Sequence, residues 1–148
     1  MSIPTTEDFG FVEGGPNQID IERAWRNFGG DSRGEFVGKL VENSEYYSEL
    51  LMFIEDRAFS FYFEAVVDYI CGPESAGDCN FVNGLVGVVF FRLDCGDDLT
   101  SSRVAIQTFC DHILGNYDKF ELSPDTYGDI RPRLRDLKSL IERYHFEG

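Results

Sequence analysis

The chain has 148 residues and sets 27 acidic against 13 basic side chains, a formal net charge of −14, yet 43% of it is hydrophobic and 15% aromatic. Such acidity on a poorly apolar chain would give disorder, but 14 Phe, 7 Tyr and 1 Trp can fill a core, so the composition predicts one folded, acidic domain. The charge argues against nucleic acid and anionic membrane as partners, since their phosphates would be repelled, and favours a basic protein partner.

Residues 1–10 carry neither a positive segment nor an apolar run, which predicts a cytoplasmic chain with Cys71, Cys79, Cys95 and Cys110 reduced. No uninterrupted apolar stretch approaches the roughly 18 residues needed to span a bilayer.

Residues 1–17, with Pro4, Gly10, Gly14, Gly15 and Pro16, read as an irregular N-terminal arm, and residues 18–148 as a single helical domain. Asp20 is placed to N-cap a helix through Phe28, with Ile21, Ala24, Trp25 and Phe28 inward and Gly29-Gly30 as its stop. Ser32 opens a second helix with Phe36, Val37, Leu40 and Val41 on one face. Ser44 and Glu45 mark a third start or a kink, after which Tyr47, Leu50, Leu51 and Ile54 keep the helical spacing.

Phe59, Tyr62, Phe63, Val66, Val67 and Ile70 form the clearest apolar stripe, ended by Gly72-Pro73. A β-hairpin is the rival there, weakened by the lack of period-2 alternation. Beyond an acidic loop, Asp78 is placed to cap a segment with Val82, Leu85, Val86, Val89, Phe90 and Leu93 on one face. Its Gly84 and Gly87 each cost about 1 kcal/mol relative to Ala in a helix interior, and predict either a strand or a buried helix closely approached by a neighbour. A further helix runs from about Ser101 to Leu114, with Gly115-Asn116 as its stop. Residues 116–129 form a loop, and Pro132 suits the first turn of a last helix bearing Leu134, Leu137, Ile141 and Tyr144. The sum is a mainly α, irregular helical bundle of five to seven helices, with an α+β fold carrying a small sheet as runner-up.

No segment carries a catalytic, cofactor or metal signature. The cysteines stand 8, 16 and 15 residues apart, without a CxxC knuckle, and read as small buried hydrophobes. Cys79, at a helix N-terminus, is the better thiolate candidate, opposed by Asp78. Cys110 and His112 point to different faces of one helix, and His145 falls in the last turn, where a cation suits the free carbonyls. The pairs Glu45/Glu49 and Glu64/Asp68 lack an accompanying Glu-x-x-His, and Asp94, Asp97 and Asp98 lack the order of an EF-hand loop. Phosphate-binding glycine loops and the GxSxG turn are absent. No metal or cofactor is expected, therefore, and the chain leans away from being an enzyme.

The charge is uneven. Residues 129–148 hold five basic residues, Arg131, Arg133, Arg135, Lys138 and Arg143, against four acidic ones, a net of +1, whereas residues 1–128 carry a net of −15. Within that acidic body, Tyr46 and Tyr47 lie among Glu42, Glu45 and Glu49. Adjacent helical positions diverge by about 100°, so one ring at most faces the core and the other lies beside carboxylates. These five residues are the candidate partner-binding site. Over these few residues the patch resembles the acidic Tyr-Tyr helix of bacterial immunity proteins that neutralise nuclease toxins, although the proline that follows the tyrosines there is missing. The resemblance implies an inhibitor or immunity-type function against a basic protein. Two alternatives are a small enzyme or ligand binder using Cys79 or His112 with a carboxylate in an aromatic pocket, and a homo-oligomeric structural subunit marked by an exposed Phe patch.

Overall fold

Ser32 starts the longest early helix by a reciprocal cap: its hydroxyl accepts from the Glu35 N–H at 3.1 Å, and the Glu35 carboxylate accepts from the Ser32 N–H at 3.0 Å. Such a box stabilises a helix start by about 1 kcal/mol. The structure, a computed structural model, describes residues 2–147, with side chains through residue 143. Seven helices follow one another: α1 Gln18–Phe28, α2 Arg33–Glu49, α3 Asp56–Cys71, α4 Cys79–Asp94, α5 Arg103–Gly115, α6 Pro124–Tyr127 and α7 Arg131–Glu147. No strand occurs among the described residues, so the mainly α bundle holds and the variant with a small sheet does not.

The order of packing follows from α3. Its stripe Phe59, Tyr62, Phe63, Val66 and Ile70 is buried, and so are Ala58, Ser60, Phe61, Ala65 and Tyr69, which makes α3 a central helix covered on most sides. It packs on α2 and α5; α2 also packs on α4, α5 on α7, and α4 on α7. The N-terminal arm is docked on this core. Phe9 is fully buried, with ring contacts to Trp25, Phe28 and Tyr62 at 5.1, 5.4 and 5.9 Å, and its carbonyl accepts from the Glu55 N–H.

Several local expectations are corrected. Asp20 does not cap α1, which begins two residues earlier after Asn17, a residue in the left-handed conformation. Val41 is half exposed rather than inward, because the axis changes at Asn43. Leu50, Leu51 and Ile54 are buried, but in an irregular turn after α2. Loop 116–129 contains a 3-10 turn at Tyr117–Phe120 and the short α6, and the loop after Gly72 contains another at Pro73–Ser75. Gly84 and Gly87 lie inside helical α4 with no atom within 4 Å of where a Cβ would stand, so they are not contacts for a helix of this chain. In α7, Leu134, Leu137 and Ile141 are buried as expected, while the side chains of Tyr144 and His145 lie outside the described residues.

The turn between α2 and α3 has carbonyls that no helix satisfies, and Arg92 of α4 takes them. Its side chain is 2% exposed. Its Nη1 donates to the carbonyls of Leu51, Met52 and Ile54 at 3.1, 3.1 and 2.6 Å, and Nη2 donates to Asp56 Oδ1 at 2.9 Å. Asp97 Oδ2 lies 3.3 Å from Nε, and the guanidinium sits 4.3 Å above the Phe59 ring. Burial raises the Asp56 carboxyl pKa more than the hydrogen bond and charge of Arg92 lower it. Lys119 plays a similar part at the end of α3, donating to the carbonyls of Ile70 and Gly72 at 2.9 Å each.

Arg92→Met leaves the carbonyls of Leu51, Met52 and Ile54 without their donor and is expected to lower the unfolding free energy by about 3–5 kcal/mol, read from urea denaturation. Asp56→Asn, at a side chain 35% exposed, is expected to cost distinctly less.

Candidate functional site

The surface around the tyrosines is made by a break in α2. Asn43 leaves the helical region at φ −158°, ψ 80°, and its Oδ1 accepts from the Tyr46 N–H at 3.3 Å, as an N-cap would. The last turns of α2 are thus a second helical segment with its own cap. The expected break at Ser44 and Glu45 is displaced by one residue, and Ser44 has a different task. Its hydroxyl donates to Asp78 Oδ2 at 2.6 Å, and the Tyr69 hydroxyl donates to the same oxygen at 2.5 Å. Asp78 makes no side-chain cap on α4, contrary to expectation, and instead ties the start of α4 to α2 and α3. Burial, and then the hydrogen bond to this carboxylate, push the Tyr69 phenol above the ordinary tyrosine range.

The two tyrosines divide between core and surface. Tyr47 is half-buried, edge-on to Phe36 at 6.4 Å, with Lys39 Nζ 5.9 Å from its ring centre. Tyr46 is 39% exposed. Its ring stands edge-on to Tyr47 at 5.2 Å, and its hydroxyl donates to Asn27 Oδ1 at 3.2 Å. Asn27 is fixed in turn by donating to the Arg23 carbonyl at 2.7 Å, and Lys39 Nζ donates to the Asn27 carbonyl and pairs with Asp31 at 2.7 Å. Glu42, Glu45 and Glu49 are exposed. Glu45 and Glu49 also line a cavity of about 170 Å³ between α2 and α4, with Ser48, Met52, Asn80, Gly84 and Val88.

The other candidates have mostly structural surroundings. Cys71 and Cys95 are exposed and Cys79 is half-buried, so only Cys110 matches the expectation of buried thiols; burial pushes its pKa up to about 12. Cys79 Sγ lies 3.5 Å from the Tyr127 hydroxyl, which donates to Asn80 Oδ1. His112 packs against Phe120 at 6.1 Å, and its Nε2 is buried without a hydrogen-bond partner. Glu64 and Asp68 are no metal pair: Arg33 Nε donates to Asp68 at 2.5 Å, with Glu64 3.8 Å from Nη2. Asp97 is engaged with Arg92. Among the described residues, no group of three or more His, Cys, Asp and Glu side chains is placed to hold a metal ion.

Asn43, Tyr127 and Arg92 are the residues that the sequence reading missed at or beside this surface. Asn43 had a local signal, being a cap-type residue three before Tyr46. Tyr127 had none, and for Arg92 only Asp97 is local, because the remaining hydrogen-bond partners lie some 36 to 48 residues away in the chain. Comparison of the chain with protein-family models, curated proteins and solved structures yields no match. No helix among the described residues is long and apolar enough to cross a membrane.

Tyr46→Ala is expected to change stability by less than about 1 kcal/mol, whereas Tyr47→Ala removes packing and is expected to cost about 2 kcal/mol or more; chemical denaturation distinguishes them. His112 gives a pH signature. Burial, aided by the charge of Lys119, lowers its pKa from 6.5, so the unfolded chain takes up the proton first as the pH falls. The stability His112 contributes above 6.5 is therefore lost on acidification through its folded value. The native chain should lose more stability between neutral and mildly acid pH than His112→Gln does.

Proposed function

We propose that this chain is a protein-binding module that captures a basic protein partner through the face around Tyr46, in the manner of an inhibitor or immunity protein. One observation carries the reading: an exposed tyrosine ring, braced by Tyr47 and Asn27, on a segment that also presents the carboxylates of Glu45 and Glu49. A tyrosine so held offers contact area at little entropic cost, and desolvating it against a partner yields the kind of energy that binding hot spots carry. The carboxylates steer and pair with Lys or Arg, and the −15 carried by residues 1–128 extends the attraction beyond contact range. An internal compartment that keeps the exposed Cys71 and Cys95 reduced belongs to the same reading.

The test is capture from a lysate on the immobilised chain, followed by affinity measurement with the captured protein. A basic protein should bind at about 0.05 M salt and weaken strongly near 0.5 M, since the screening length falls several-fold over that range. Combined Glu42→Gln, Glu45→Gln and Glu49→Gln should slow association, and Tyr46→Ala should weaken binding about tenfold or more. Binding indifferent to both salt and these substitutions would overturn the reading.

A further inference from the structure

Two glycines in α4 have no use within the fold. A Cβ at Gly84 or Gly87 would meet nothing within 4 Å, neither residue has a positive φ, and glycine weakens a helix interior relative to alanine. Gly84 is exposed, so its bare backbone forms the floor of the cavity between α2 and α4. Phe91, two turns further along the same outward strip, is 38% exposed and stands edge-on to Phe53 at 5.7 Å. Met52 borders both this cavity and the next one, of about 330 Å³, which reaches Phe53 and Phe91. The result is a trough with a glycine floor, whose far end places Met52, Phe53 and Phe91 beside the polar Asn17, Glu55, Asp56 and Asp97. Its two flanks differ: Glu45 and Glu49 wall the α2 side, while on α7 Arg133 lies 3.4 Å from Asn83 and 5.4 Å from the Phe90 ring centre.

Resting on the reading that the partner is basic, we infer that this trough seats an amphipathic helix of that partner, with its Lys or Arg residues along one edge. The bare floor lets a helix backbone approach closely, Met52 and Phe91 receive its apolar face, and its cations pair with Glu45 and Glu49. An extended strand has no sheet edge here to join. A second copy of this chain would bring another −14 against the acidic wall.

The probe is a synthetic helical peptide of about five turns with a Leu/Ala face and Lys along one edge, alongside a twin with Glu in place of Lys. Binding is followed by amide chemical shifts of the full chain. The Lys peptide should bind and shift the amides of Glu45–Met52 and Gly84–Phe91, and the Glu twin should not. Gly84→Leu should weaken binding at least tenfold while its melting temperature stays at or above that of the parent, which separates a blocked trough from a damaged fold. Lys-peptide binding that is unchanged in Gly84→Leu, or absent, overturns the trough. If binding of the basic protein captured from the lysate still depends on Tyr46 and the three glutamates, the broader reading survives that loss. Sedimentation showing a dimer that Gly84→Leu dissolves would also overturn the trough, assigning this face to a second copy.

Discussion

A guanidinium shut away from water can be tolerated only where fixed dipoles and charges replace its hydration, and Arg92 meets that demand with three carbonyls, two carboxylates and the face of Phe59. The same contacts solve a second problem. Where the chain leaves α2 and turns back into α3, its carbonyls have no helical partners, and burying them unmet would be costly. One side chain from α4 closes both accounts. Because that side chain reaches from α4 to the end of α2, the clasp also sets how these two helices lie beside each other.

Five aspartates are tied into the fold by hydrogen bonds or ion pairs. Asp78 gathers hydroxyls from Ser44 and Tyr69, Asp31 pairs with Lys39, Asp68 with Arg33, and Asp56 and Asp97 with Arg92. Glu42, Glu45 and Glu49 are different, being exposed on the last turns of α2. Their neighbour Tyr46 is held through neutral contacts, leaving the carboxylates available for pairing. An acidic surface beside a braced aromatic is a stronger basis for recognition than charge alone, because charge sets the rate of encounter while the buried ring sets how long a complex lasts.

Most helices were legible in the sequence because their apolar residues repeat at helical spacing, most plainly from Phe59 to Ile70, and because Ser32 and Gly72-Pro73 punctuate them, whereas α4 fitted helix or strand alike and α6 lies in a stretch that reads as a loop. The 100° step of a helix implied that Tyr46 and Tyr47 could not both face the core, but which of them is exposed came only from the structure. What was illegible depended on tertiary partners. Gly84 and Gly87 fit either a strand or a buried helix closely approached by a neighbour, and only the packing of α2 and α7 on α4 shows Gly84 exposed and Gly87 half-buried, with nothing within 4 Å of where a Cβ would stand. Asp78 looked like a cap, and two hydroxyls from distant helices drew it elsewhere. Arg92 stands in an apolar run, and nothing local reveals that a turn some 40 residues earlier needs its donors.

The account stands or falls on whether the Arg92 clasp holds the α2 corner as rigidly as the core. Residue-resolved amide hydrogen exchange of the native protein measures this directly. Leu51 and Met52, whose N–H groups donate to Ser48 and Glu49, and Glu55, whose N–H donates to Phe9, should exchange only through global unfolding, with protection matching the central amides of α3. Protection at these amides several orders of magnitude below that of α3 would show a corner that opens by itself, and would contradict a corner held rigid by Arg92.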